Sequence, residues 1–110
     1  MADGGRQMPT LPSELVKAWT RRQDFPAGSS RALGWDTPSG PNSSAGTKLG
    51  PLAFGHTGFT GTSIWVDPER ELFIILLTNR VNPSRENNRI GRVRSRVADL
   101  AADALKEPSR

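Results

Sequence analysis

The chain has 110 residues with no cysteine and one histidine, which suits one small domain and excludes disulfides, thiolate chemistry and an ordinary zinc site. Its hydrophobic fraction of 35% is concentrated in the second half, enough for one core but not a generous one. A formal net charge of +4 does not require a nucleic-acid partner, and the longest apolar run, Leu72 to Leu77, is far short of a membrane span.

Residues 1–30 read as a loop followed by a short helix. Met1 to Pro12 is rich in Gly, Pro and polar residues and carries no apolar core of a signal peptide, so the compartment is unknown. Ser13 is the expected cap of a helix that places Leu15, Val16 and Trp19 on one face and fails by Asp24-Phe25-Pro26. Residues 31–36 read as a strand, with Leu33 and Trp35 on one side. Residues 37–52 read as a mobile surface loop, because Thr37 to Pro51 holds three Gly, three Pro and three Ser.

Residues 53–79 carry the strongest pattern. Thr60 to Val66 is β-branched and aromatic, Asp67-Pro68-Glu69-Arg70 supplies a turn, and Glu71 to Thr78 contains six consecutive apolar residues. The two strands should form an antiparallel hairpin whose second strand is apolar on both faces, so both faces need a cover. Residues 84–106 read as a helix capped by Ser84, with Ile90, Val93, Val97, Leu100 and Ala104 as its apolar stripe and Ala101 and Leu105 widening it. That helix covers one face; nothing else in the chain is large enough to cover the other. The expected fold is α+β: an antiparallel sheet of about three strands packed by a long C-terminal helix and a short N-terminal helix.

Chemistry is concentrated in Phe54-Gly55-His56-Thr57-Gly58-Phe59-Thr60-Gly61-Thr62. Each glycine weakens a strand, so Gly55, Gly58 and Gly61 imply that another group comes close to the backbone, as at a strand edge lining a site. The segment from Gly55 to Arg80, with its His-Thr-Gly box, Asp-Pro turn and apolar strand ending in Thr78-Asn79-Arg80, resembles the third active-site box and following strands of the serine β-lactamase, penicillin-binding-protein and esterase superfamily. The opening Asp3-Gly4-Gly5-Arg6 and Leu33-Gly34-Trp35 are similar to that family's approach to the box.

The resemblance implies a partial β-lactamase-like fold and acyl-enzyme hydrolysis of an ester, amide or lactam, without cofactor or metal. His56 would stand in for the usual lysine and supply a hydrogen bond or positive charge to the nucleophile's network. Thr57 would bind the substrate, Gly58 would let it lie against the strand, and the Phe59 N–H would be one of two oxyanion donors. The family's C-terminal helix begins beside the substrate site, which nominates Arg89, with Asn87 nearby, for a substrate carboxylate.

The rest of the family's machinery is missing from this sequence. No serine has a lysine three residues on, and no tyrosine is present to begin a second box. The chain is therefore expected to be the C-terminal segment of such a hydrolase, inactive alone, meeting a small-molecule acyl substrate only within a complete parent domain. The other reading is a non-catalytic module that associates with itself through the exposed sheet face. Nucleic acid is not an expected partner, because Glu86, Asp99, Asp103 and Glu107 interrupt the arginine stripe Arg85, Arg89, Arg92 and Arg96, and no aromatic lies among them for base stacking.

Overall fold

A computed structural model describes residues 10–106. Two helices, α1 (Ser13–Thr20) and α2 (Ile90–Lys106), flank three strands, β1 (Phe54–Thr57), β2 (Ser63–Asp67) and β3 (Leu72–Leu76). The strands form one antiparallel sheet in the order β1-β2-β3, with His56 opposite Ile64 and Ile64 opposite Ile75. The α+β class and the β2–β3 hairpin are as expected, and Arg70 N–H donates to the Asp67 carbonyl to close the Asp-Pro turn. The Asp3-Gly4-Gly5-Arg6 opening and Glu107 lie outside the described residues.

Residues 31–36 do not make the expected strand. Isolated bridges join Arg31 to Asp36 and Asp36 to Gly55, and Gly34 at φ 78° folds the segment back on itself. Ser13 does not cap α1 either. Pro12 is the N-cap residue, with no side-chain cap, and its carbonyl accepts from the Leu15 and Val16 N–H groups. At the other end the Gln23 carboxamide donates to the Ala18 and Arg21 carbonyls, which takes up groups a helix terminus leaves unpaired.

Residues 37–52 differ most from the reading of a mobile loop. They form a strap tied to α2 and to the end of β2. Ser95 Oγ donates to the Ser43 carbonyl, Thr47 N–H donates to Asp99 at 2.7 Å, and Lys48 pairs with Asp103 at 3.2 Å. Gly46, at φ 77°, lies where a Cβ would strike the Asp99 carboxylate, so only glycine lets the strap meet the helix. Asp67, fully buried, accepts from the Gly50 N–H at 2.8 Å and pins the strap's far end to β2.

Helix α2 starts at Ile90, six residues later than expected. The Ser84 hydroxyl accepts from the Glu86 N–H and the Asn87 carboxamide accepts from the Arg89 N–H, so these side chains hold successive turns instead of capping a helix. The helix is also rotated relative to the expected stripe. Ala98 and Ala102 are its buried residues, while Val93, Leu100 and Leu105 are exposed. Small side chains face inward because the bulky residues come from the sheet: Trp65 and Leu72, both buried, share one sheet face with Ile74 and Leu76. The opposite face carries Phe73 and Ile75, with Leu77 just beyond the strand, at 67%, 55% and 75% exposure. It has no cover among the described residues.

Candidate functional site

The box occupies β1 and the turn after it. Strand alternation sends Gly55 and Thr57 to the Trp65 face and His56 to the uncovered face beside Ile64 and Ile75. Gly55 must be glycine, since a Cβ there would run into the Trp65 indole and the Ile64 carbonyl.

β1 is an edge strand. Gly55 uses both outward backbone groups on Asp36: its N–H donates at 2.9 Å, and its carbonyl accepts from the Asp36 N–H at 2.7 Å. By the two-residue alternation of an antiparallel ladder, the next outward pair belongs to Thr57, beyond the end of that bridge. This is a short open edge against which an extended acyl substrate can be laid. An open cavity of about 310 Å³ adjoins it, lined by His56, Thr57, Gly58 and Thr62 with the apolar Ile64, Ile75 and Leu77.

His56 is exposed, and its Nδ1 lies 2.8 Å from the Thr57 carbonyl oxygen. A nitrogen lone pair would repel that oxygen, so Nδ1 carries the proton. In the neutral ring, Nε2 is then left as an acceptor. A hydrogen-bond acceptor held on the box strand is what a nucleophile's proton network can use.

The turn 58–62 is held tightly. Gly58 N–H donates to the Thr62 carbonyl at 2.8 Å, and Gly61 N–H donates to the Gly58 carbonyl at 3.1 Å. Arg94, reaching from α2, donates through Nη2 to the carbonyls of both Gly58 (2.7 Å) and Thr62 (3.0 Å). Arg80 donates through Nε to the Phe59 carbonyl at 2.7 Å and lies over the Phe59 ring, 4.4 Å from its centroid. Burial, followed by repulsion from Arg80, lowers the Arg94 pKa from its usual value, although an arginine remains charged throughout the physiological range.

Thus His56, Thr57 and Gly58 line one cavity, and Phe59 follows at the turn. Arg89 is not brought to them. It lines a separate cavity with Asn88, Arg92 and Val93, and its Nε is turned to the Asn87 carboxamide at 3.4 Å. The cations at the box are Arg80, Arg85 and Arg94. Sequence reasoning missed Arg80 and Arg94 as partners of this turn because the contacts join residues 21, 32 and 36 positions apart. The signal that could have flagged Arg94 was a charged residue one helical turn before the small pair Ala98 and Ala102.

Comparison with known proteins gives the family of the chain. A Salmonella gallinarum protein named "Putative D-alanyl-D-alanine carboxypeptidase" is 30% identical over 94 residues, covering 82% of this chain. The match takes up 21% of that relative, so the chain spans about a fifth of its length. No solved structure matches. The Beta-lactamase family model matches residues 3–98, which include the box strand, both hairpin strands and the first half of α2. This chain belongs to the Beta-lactamase family.

Proposed function

We propose that this chain is the third-box part of a serine acyl hydrolase and turns over no substrate by itself. The observation that carries the reading is the open edge of β1, where the outward N–H of Thr57 and the start of the clamped turn adjoin the cavity lined by His56. An acyl group laid there would hydrogen-bond Thr57 and direct its carbonyl oxygen to the Phe59 N–H. A serine supplied by the rest of a complete domain would attack that carbonyl, with His56 Nε2 accepting a hydrogen bond from the nucleophile's network. Esters, amides and lactams share this acyl-enzyme route. The carboxypeptidase named among the relatives adds a peptide acyl group to the substrates to be tried.

A chimera tests this reading: residues 54–80 of this chain replace the equivalent segment of an active family member. Turnover of chromogenic ester or lactam should survive, and Phe59→Pro, which removes the N–H, should lower kcat by ~100- to 1,000-fold. A folded chimera without turnover, or one indifferent to Phe59→Pro, would overturn it. The isolated chain should give only the buffer rate with the same substrates.

A second reading, self-association through the uncovered sheet face, is favoured by the exposure of Phe73, Ile75 and Leu77.

A further inference from the structure

All five carbonyls from Gly58 to Thr62 accept a hydrogen bond. Gly58 and Thr62 accept from Arg94 as well as from each other's turn, Phe59 from Arg80 Nε, Thr60 from the Arg80 N–H, and Gly61 from the Thr78 hydroxyl. The N–H groups are treated differently. Gly58 and Gly61 donate within the turn, whereas the Phe59 N–H, like those of Thr60 and Thr62, has no acceptor among the described residues. A five-residue turn whose carbonyls are all engaged cannot flip a peptide without breaking a bond, so the direction of the Phe59 N–H is locked. Three cations, Arg80, Arg85 and Arg94, also border the turn, and their field favours negative charge beside it.

Arg94 is the member of this arrangement that spans the turn. A single Nη2 binds the carbonyls at its first and last residues, while the neighbouring Nε is buried without an acceptor. An arrangement that leaves a buried donor unpaired costs stability, so it is not what helix packing alone would select.

We propose that Arg94 is a positioning residue: it holds the turn after the third box closed at both ends, with the Phe59 N–H presented and free to donate. This deepens the hydrolase reading, in which that N–H stabilises the oxyanion. It predicts that α2 governs the box through one side chain, and that shape and charge at position 94 both matter.

The test is amide hydrogen exchange and amide chemical shifts on the isotope-labelled 110-residue chain. Arg94→Met, which keeps the stem but removes the donors, should speed exchange at Gly58 and Gly61 by about tenfold or more and shift the Phe59 amide resonance, with Trp65 and Ile74 in the sheet nearly unchanged. Arg94→Lys, which keeps charge and donors, should restore part of the protection. Unchanged exchange at Gly58 and Gly61, equal acceleration across turn and sheet, or no recovery with lysine would overturn the proposal. If Arg94→Met unfolds the chain, scalar couplings across the hydrogen bonds from Arg94 Nη2 to the Gly58 and Thr62 carbonyls decide the matter in the unmodified chain, and their absence overturns it. None of these readouts uses turnover, so a failed chimera refutes the hydrolase reading without touching this one.

Discussion

At the scale of single residues, the glycines of the box have a cause other than the one their spacing suggests. Gly55, Gly58 and Gly61 point to close approach by an outside group, yet the groups that come near belong to the chain itself: the Trp65 indole, the Thr62 hydroxyl, and the Thr78 hydroxyl with the Arg80 backbone. Gly61 is the most constrained, combining φ 115° with a buried position. Gly61→Ala should therefore cost more than the ~1–3 kcal/mol of backbone strain alone, because the new methyl also displaces Thr78. Gly28→Ala, at φ 86° in open space, should cost only the strain. Urea midpoints of the two variants provide the comparison, and equal losses would contradict the crowding at Gly61. The strand edge and the turn's N–H are thus the parts of the box left open, with the glycines making the turn itself possible.

Among the elements, α2 shows how far periodicity reaches. The apolar stripe through Val93, Val97 and Leu100 correctly marks a helix, but the residues that meet the protein's interior are Ala98 and Ala102, with Arg94 one turn earlier. Hydrophobic spacing reports which side chains avoid water in the finished molecule. When part of the cover is not among the described residues, the larger side chains need not face the partner that is present. Ala102→Leu, at a position with no exposure, should destabilise the chain by ~1–3 kcal/mol through overpacking, whereas Leu105→Ala, at 60% exposure, should be nearly neutral. Thermal melting distinguishes the two. The reverse order would restore the stripe read from the sequence. The strap was hidden for a related reason: its composition is that of a loop, and its order comes from Asp99, Ser95 and Asp67 far along the chain.

For the whole molecule, the core is too thin for the apolar residues that the chain carries. The buried hydrophobic residues among those described are five alanines with Trp65 and Leu72, while fourteen large hydrophobic residues remain exposed. The radius of gyration, 15.4 Å, exceeds the ~13 Å of a compact chain of about 100 residues. Phe73, Ile75 and Leu77 form an apolar sheet face, and Leu15, Val16 and Trp19 form another groove with Trp35 and Phe54. Such surfaces promote association. Replacing Phe73 and Ile75 with lysine should shift the chain toward monomer in sedimentation at equal concentration. An unmodified chain that is already monomeric at high concentration would remove the self-association reading.

The division between sequence and tertiary structure follows the range of the forces involved. Alternation, the Asp-Pro turn and the His-Thr-Gly box act over a few residues, so the hairpin and the family could be read directly from the order of residues. The rotation of α2 depends on what the helix packs against, and the ordered strap and the arginine clamp on the box turn depend on pairs 17 to 52 positions apart. Those pairs are chosen by packing and by the need of buried carbonyls for donors, and neither requirement has a local signature. Sequence alone therefore established the family and the residues of the box, and the fold decided which cations hold its turn in shape.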